Sequence, residues 1–449
     1  MFQTKHIAYK FKLRPTLEQR LALAQAAGCC RWIYNWGLQN RIAVYEAVKD
    51  LPKKERNAAL NVSSNSSQEL QVSILRSQFP FLKTAPYHAL QSALTNLDIA
   101  YKKLFTGLAK YPCFKSKKDG DSFTEKDKQC FSYSSEYITI PKVGKVKYFN
   151  SRPVKGTPTS MTVTRKGNDW YVAIACKLAN ETKDVSLAEK PPVGIDVGIA
   201  RSMTFSDRTH IQLPTITPTE EREHARLQRI VARKVKRSRR WWKAAERARK
   251  FSEHITNRVA DTRHKETTKR AKNQGLIAVE DLSVQDMMGS ASGTLAAPGT
   301  HVAQKRGLNR SLGRQGFGIT FSQLEYKQGW QGQLFIKVPP AGTSQTCHKC
   351  KHKAPENRLS QEKFKCVKCG YESNADDNAS DNIKDLGLEQ ARVRHLLSAD
   401  GLSVVARGRL SELRETRTKT KTPKRWRKSR KRGIGACTQV CAPTGDEVV

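Results

Sequence analysis

The first part of the chain changes from a strand pattern to a helical pattern near its start. Apolar and polar residues alternate over 7–13, which predicts a strand with one buried face. A Pro-Thr pair at 15–16 breaks the alternation, and apolar residues then recur at three- and four-residue intervals over 17–36, which predicts a helix. A second helical stripe, marked by leucines, covers about 88–108 and is typical of core packing. The polar segment 61–67 predicts a loop.

Beyond Pro112 the chain becomes a series of short alternating segments. Four of them are separated by Gly, Pro, Asn or Lys-Gly turns, at 137–141, 145–149, 160–164 and 170–177. This spacing predicts a small β-barrel or sheet. The strand at 7–13 could join it, which would make the helical stretch from about 17 to 110 an insertion in a β-domain.

The pattern changes again after Pro191 and becomes α/β. Apolar strands are predicted at 193–199 and 276–279, and 203–213 supplies more strand with a turn inside it. Residues 220–272 have a helical and strongly basic composition. A segment rich in Gly, Ser, Ala and Thr at 289–299 predicts a mobile loop.

Charge narrows the class of protein. The chain has 449 residues, with 81 Lys and Arg against 41 Asp and Glu, for a net charge of +40 and a pI near 10.0. This excess excludes an ordinary metabolic enzyme, and 38% hydrophobic residues exclude a wholly disordered chain. A polyanion partner is therefore expected, because phosphate neutralisation releases counterions and supplies affinity without reading sequence.

Membrane and secreted proteins are disfavoured by the sequence. There is no run of about 20 apolar residues, and the start leads into alternating residues rather than an apolar signal core. The eleven cysteines are odd in number and unevenly spread. We therefore expect a cytoplasmic protein of the prokaryotic cytosol or nucleoid, with reduced thiols and one metal site.

That metal site is predicted from four cysteines near the end of the α/β part. They follow the spacing C-x2-C-x15-C-x2-C, at Cys347, Cys350, Cys366 and Cys369. Four thiolates at this spacing can close a tetrahedron around Zn²⁺, which indicates a structural zinc ribbon. His348 is the alternative ligand, but with four cysteines present it is expected to be a neighbour facing solvent.

A second candidate site consists of carboxylates next to buried strands. Asp196 interrupts the apolar strand at 193–199, and Glu280 follows the strand at 276–279. Asp376, Asp377 and Asp381 come after the ribbon. Buried charges are usually paired or bound to metal, and three converging carboxylates would hold two Mg²⁺ ions for phosphodiester cleavage. Taken singly, each acid is as well explained as a strand-end or helix-capping residue.

These motifs together resemble the ordered signature of the TnpB family, the transposon-encoded RNA-guided nucleases related to compact type V CRISPR effectors. The resemblance covers about residues 5 to 385. Its main segments, in chain order, are 194–199, 279–282, 343–370 and 375–383. Further matches are at 9–16, 31–35, 141–144, 170–172 and 324–327.

The resemblance implies a multidomain α+β architecture. It consists of a β-barrel wedge domain with a helical recognition insertion, and an RNase H-like (RuvC) α/β nuclease domain with a zinc-ribbon insertion. The implied ranges are 1–16 and 112–190 for the wedge, 17–111 for the recognition insertion, 191–345 and 373–398 for the nuclease, 346–372 for the ribbon and 399–449 for a basic tail expected to be disordered.

The resemblance also implies the roles of single residues. Asp196, Glu280 and Asp376 would bind the catalytic Mg²⁺ ions. Asp376 is preferred to Asp377 because Asn378 fixes the register of the family pattern Asp-x-Asn-Ala-Ala-x-Asn-Ile. The family acts with a guide RNA from the transposon end, recognises a short duplex motif and cleaves the DNA paired to the guide.

Nucleic-acid contacts are expected on two surfaces. The expected partners are a guide RNA and the target and non-target DNA strands. Cations of the basic stretch could line a channel for the guide–target heteroduplex, and the alternative for each of them is a solvated position on a helix. These cations are Arg233, Lys236, Arg237, Arg239, Arg240 and Lys243. The start of the long helix at Tyr87, His88 and Gln91 is a candidate reader of the duplex motif.

Two other functions stay open at this stage. A compact type V CRISPR effector would use the same residues with RNA from a CRISPR array. A guided DNA-binding repressor without cleavage is disfavoured by the three intact acids. The sequence is compatible with a monomer or a dimer.

Overall fold

The structure is a computed structural model that describes residues 2–181, 185–294, 297–360, 362–394, 396 and 403–404. Of the predicted tail 399–449, only 403–404 are among the described residues. None of the helices within these ranges combines the length and the apolar character that crossing a membrane requires.

The alternating segments of the first part form one antiparallel sheet of seven strands. The strands are β1 (Phe2–Arg14), β2 (Ser122–Glu125), β3 (Ser132–Tyr133), β4 (Tyr137–Ile140), β5 (Gly144–Tyr148), β6 (Thr157–Lys166) and β7 (Asp169–Glu181). Their order is β2-β6-β7-β1-β5-β4-β3, so the first strand does join the later segments. Within the described residues no pairing links β2 to β3, so the sheet is open and the predicted closed barrel is not found.

Four helices are inserted between β1 and β2. They are α1 (Leu17–Val48), α2 (Lys53–Leu60), α3 (Asn65–Gln78) and α4 (Tyr87–Phe105). A capping box between Thr16 and Gln19 starts α1. The predicted loop at 61–67 is wrong over its second half, because Ser64 accepts the N–H of Ser67 and caps α3.

The second part is built on a five-stranded sheet in the order β11-β10-β9-β12-β13. Strands β9, β12 and β13 run parallel, and β10 and β11 are antiparallel to their neighbours. A separate two-stranded pair joins β8 to β16. The bounds are β8 (Val185–Ser186), β9 (Val193–Asp196), β10 (Met203–Phe205), β11 (His210–Ile211), β12 (Leu276–Glu280), β13 (Leu334–Val338) and β16 (Ser403–Val404).

Six α-helices lie among the described residues of this second part. They are α5 (Pro218–Ala232), α6 (Arg239–Asn273), α7 (Val284–Met287), α8 (Val302–Gln315), α9 (Phe317–Trp330) and α10 (Ala375–Val393). The basic stretch predicted as one helical region is two helices joined by a turn at 233–238. In that turn Arg237 has φ 69°, a left-handed conformation that interrupts the helix.

Both faces of the second sheet are buried. Ile277 and Val279 of β12 share a core with α8 and α9, whereas Leu276 and Ala278 share a core with α10. Burial on both faces explains why these strands are continuous apolar runs in the sequence. Between β13 and α10 lies a hairpin of β14 (Lys363–Lys365) and β15 (Glu372–Asn374).

Candidate active site and metal centre

Asp196 and Glu280 lie at the carboxyl ends of the neighbouring parallel strands β9 and β12. Ile195 pairs with Val279, so the two acids occupy the next position in the register. Ile195 and Val279 both pack in the core formed with α8 and α9. Since side chains alternate along a strand, both acids point to the opposite face of the sheet, which α10 covers.

Helix α10 lies unusually close to these strands because two glycines permit it. A Cβ at Gly194 would lie 2.0 Å from the carbonyl oxygen of Ser380, and one at Gly387 would lie 2.4 Å from the Cβ of Ala278. The backbone of α10 therefore rests directly on β9 and β12. This contact brings the first turn of α10, with Asp376, to the strand ends that carry the other two acids.

The charges of the three acids are coupled. Burial, followed by the negative charges of Glu280 and Asp376, raises the pKa of Asp196 to about 7. Burial is also the main cause that raises the pKa of Glu280 and of Asp376. Carboxylates that repel one another in this way are a donor set that suits a hard divalent cation.

A hydrogen-bond network behind the acids orients Glu280. The buried hydroxyl of Thr343 donates to the Glu280 carboxylate. Asn382 of α10 donates to the carbonyl oxygens of Thr343, at 3.0 Å, and of Thr346, at 2.7 Å. Asn378 donates to the same Thr346 carbonyl at 2.8 Å. Helix α10, which supplies Asp376, thus also holds the segment 343–346 that orients Glu280. Hydrogen bonds of this kind, which support a ligand from behind, are typical of metal sites.

An arginine that the sequence analysis missed acts on all three acids. Arg358 directly follows a short 3-10 turn in the ribbon. Its positive charge opposes the rise in the pKa of Asp196, Glu280 and Asp376. No pattern could have indicated it, because Arg358 belongs neither to a strand nor to the cysteine spacing.

The four cysteines meet as their spacing predicts. Their Sγ atoms all lie within 4.8 Å of one another. The Sγ–Sγ distance is 3.7 Å between Cys347 and Cys369 and 3.5 Å between Cys350 and Cys366. A tetrahedron of sulfurs about 2.3 Å from zinc has edges of about 3.8 Å. The cluster therefore resembles a zinc ribbon and has the dimensions to bind zinc.

The two turns that carry the cysteines have the same backbone geometry. The residue after the second cysteine of each pair is left-handed, with φ 57° at Lys351 and 70° at Gly370. Their N–H groups donate to the carbonyls of Cys347, at 2.9 Å, and Cys366, at 3.0 Å. A left-handed residue favours glycine, so Lys351 is a strained departure, and its ammonium pairs with Asp385 at 2.7 Å.

Three family models match the chain. They are described as "Helix-turn-helix domain" at residues 1–50, "Probable transposase" at 173–291 and "Cas12f1-like, TNB domain" at 317–383. The first match falls on β1 and α1, which are a strand and one long helix. The last one includes the cysteine cluster and Asp376.

A protein of Escherichia coli (strain K12) named "Putative RNA-guided DNA endonuclease InsQ" is 37% identical over 383 residues, which cover 85% of this chain and 92% of that protein. This chain belongs to the TnpB family. A relative from Streptomyces pristinaespiralis, named "Putative RNA-guided DNA endonuclease", is 27% identical over 396 residues, covering 86% of this chain and 91% of that protein. A cryo-EM structure of a Cas12f1–sgRNA–target DNA complex has the same fold, with a TM-score of 0.54, 14% identity, and coverage of 85% of this chain and 99% of that one.

The predicted nucleic-acid residues of this TnpB-family chain lie on two separate elements. The six cations are all exposed around the α5–α6 turn, and none forms an ion pair with a carboxylate of the described residues. Tyr87 and Gln91 lie one turn apart on α4 and are partly buried. The Tyr87 hydroxyl lies 3.2 Å from that of Ser73, so part of its hydrogen-bonding capacity is already used within the protein.

Proposed function

We propose that this chain is an RNA-guided DNA endonuclease that hydrolyses phosphodiester bonds with divalent metal ions. The observation that carries the proposal is the meeting of Asp196, Glu280 and Asp376 on one face of the second sheet. The names of its relatives in E. coli and S. pristinaespiralis support the same activity. On this proposal the second sheet is an RNase H-like RuvC domain, and the first sheet with its inserted helices forms the wedge and recognition parts, with the boundaries stated above.

The three acids would hold two Mg²⁺ ions, since their donors are all carboxylate oxygens. When bound, the ions supply an activated water and stabilise the leaving oxygen. Within the chain, Thr343 keeps the Glu280 carboxylate in place. The positive charge of Arg358 would offset part of the negative charge that the three acids and a phosphate bring to this site.

The four cysteines would hold a structural Zn²⁺ ion, because protein thiolates fill all four positions. Backbone geometry supports this assignment. Although burial acts in the other direction, the N–H groups of Cys369 and Lys368 lower the pKa of Cys366, which favours the thiolate that zinc requires.

The nucleic-acid partners would be a guide RNA from the transposon end and both strands of the target DNA, in the cytoplasm. The exposed cations at the α5–α6 turn suit phosphate backbones. Tyr87 and Gln91 on α4 would face the duplex motif, where an amide can read a base edge.

A cleavage assay with the RNA that co-purifies with the protein tests the proposal. Sequencing that RNA defines the guide, and a plasmid library with randomised flanks then supplies the target and the duplex motif. We expect cleavage that requires Mg²⁺, and we expect transposon ends rather than a repeat array beside the gene. Binding of the guided target without any cleavage would instead identify a repressor.

Matched carboxylate variants test the site assignment. Asp196→Asn and Asp376→Asn should each lower the cleavage rate by at least about 100-fold and leave RNA and target binding intact. The loss of a direct metal ligand should cost at least as much as the loss of a residue that only supports a ligand, which costs about 10- to 100-fold. Asp377→Asn on the next position of α10 is the control and should cleave normally. Cleavage that survives Asp196→Asn, or that is lost only with Asp377→Asn, contradicts the assignment.

A further inference from the structure

Three metal-binding atoms meet at a place that neither the proposed active site nor the cysteine cluster uses. His88 lies in the first turn of α4, and Asp127 and Cys130 lie between β2 and β3. One ligand atom from each lies within 4.8 Å of the others. The Asp127 Oδ2 atom is 3.6 Å from His88 Nε2 and 3.4 Å from Cys130 Sγ. Segments far apart in sequence thus converge through groups that all bind transition metals.

The His88 ring is oriented as a ligand. Its Nδ1 lies 3.1 Å from the Oε1 atom of Gln91. An amide oxygen only accepts hydrogen bonds, so Nδ1 is the donor in this contact, and in the neutral ring Nε2, which faces Asp127, carries the lone pair. A metal-binding histidine commonly has its second ring nitrogen held in this way, because the outer partner fixes both tautomer and orientation.

A carboxylate buried next to the three residues is only partly hydrogen-bonded. Glu125 has no exposed surface, and its Oε2 atom has no hydrogen-bond partner in the described part of the chain. Its Oε1 atom accepts the backbone N–H of Asp127 at 3.1 Å. The carboxylate also lies close enough to His88 and Cys130 to act on them electrostatically. A cation bound by the three residues would offset the cost of this buried charge.

We infer that His88, Asp127 and Cys130 bind a zinc ion, the second in the chain, with Glu125 as the buried carboxylate behind it. Imidazole, carboxylate and thiolate are all zinc ligands, whereas the nitrogen and sulfur donors disfavour Mg²⁺ and Ca²⁺. The His88 side chain is 43% exposed and that of Asp127 is 32% exposed, which gives the ion a path from solvent. Three protein ligands leave a coordination position open to water.

Such an ion would connect the first turn of α4 to the segment that follows β2. The connection would fix His88 and, through its ring, Gln91. The inference rests on these side chains alone and does not depend on the endonuclease activity.

Zinc content of the full-length protein tests the inference. The protein is purified without a histidine tag in a non-chelating reductant, equilibrated with Zn²⁺, dialysed, and analysed by elemental mass spectrometry. We expect two zinc ions per chain in the wild type, and one in Cys130→Ser and in His88→Gln. Cys113→Ser removes an exposed thiol elsewhere and should retain two.

Cobalt substitution gives an independent measurement. Cobalt bound by Cys130 should contribute thiolate charge-transfer absorption that is absent in Cys130→Ser and unchanged in Cys113→Ser. His88→Gln changes a partly exposed side chain, so it keeps the test valid if Cys130→Ser folds poorly. His88→Gln and Cys130→Ser variants that hold as many zinc ions as the wild type overturn the inference, whether or not the cysteine cluster binds zinc.

Discussion

Thr343 is the side chain whose removal should separate metal binding from the rest of the proposed site. Thr343→Val keeps the shape but leaves Glu280 without its hydroxyl donor. We expect the Mg²⁺ concentration for half-maximal cleavage to rise by about 10- to 100-fold, as for loss of other outer-shell partners. A titration of the cleavage rate with Mg²⁺ measures this, and Thr343→Ser, which retains the hydroxyl, should restore the wild-type value. An unchanged Mg²⁺ requirement in Thr343→Val would show that the hydrogen bond has no role.

Arg358 should matter for the rate rather than for nucleic-acid affinity. Arg358→Ala removes the positive charge that acts on all three acids. We expect cleavage under single-turnover conditions to fall by about 100-fold or more, as for loss of one preorganised donor at developing charge. Arg358→Lys should recover part of the rate because it keeps the charge but not the planar fork. Equal losses in target affinity and rate would place Arg358 in binding instead.

Sequence reasoning could single out the acids because each leaves a local signature. Asp196 and Glu280 are charges next to apolar runs, a position that a site or a pairing partner explains, although a strand-end residue explains it as well. Arg358 and Thr343 leave no such signature, since an arginine after a short 3-10 turn and a threonine in a loop are ordinary. Their roles depend on tertiary contacts, which spacing along the chain does not encode.

Among the elements, α10 determines whether the three acids meet. Gly194→Ala would place a Cβ 2.0 Å from the Ser380 carbonyl oxygen, so α10 must move away from β9. We expect loss of about 1–3 kcal/mol of stability from overpacking, together with loss of cleavage because Asp376 moves with the helix. Thermal unfolding and a cleavage assay measure the two effects.

Gly318→Ala is the matched control for that substitution. Gly318 lies in α9, and a Cβ there would meet nothing within 4 Å. Alanine should therefore leave cleavage unchanged and raise the stability by up to about 1 kcal/mol, the difference in helix propensity. If Gly194→Ala behaves like this control, the close approach of α10 does not position Asp376.

The sequence predicted the type of most elements better than the residues at which elements end, and it did not predict whether the first sheet closes into a barrel. The residue pattern marked β1, α1, β4 to β7, β9, β10 and β12, whereas β2, β3 and β13 were not predicted. The segment 61–67 was misread because asparagine and serine are favoured both in loops and at helix starts, and Ser64 serves as a cap. Closure of a barrel depends on how far the edge strands lie apart, and the alternation of single strands carries no information about that distance.

For the whole molecule, the excess of positive charge should be visible in the salt dependence of RNA binding. Changing Arg239, Arg240 and Lys243 together to Gln removes three exposed cations that have no carboxylate partner among the described residues. A plot of log affinity against log salt concentration has a negative slope, and we expect it to become shallower by up to about 2 in the variant. Each single-strand phosphate that is no longer neutralised accounts for about 0.7 of this change. Filter binding between low and moderate salt measures the slope.

Lys265→Gln is the control for this experiment. Lys265 is an exposed cation of the same helix, but it already pairs with Asp261 at 2.6 Å. Its removal should leave the slope unchanged. A slope that is unchanged in the triple variant as well would exclude the α5–α6 turn from the RNA-binding surface.

Helix α6 begins at the cationic turn and ends three residues before β12, the strand that carries Glu280. Its 35 residues make a rod about 52 Å long at about 1.5 Å per residue. A duplex rises about 3.4 Å per base pair, so the rod is as long as about 15 base pairs. The cationic turn is therefore tied to the amino end of β12 by one continuous helix, so a nucleic acid bound at the turn would be held at a fixed distance from the second sheet.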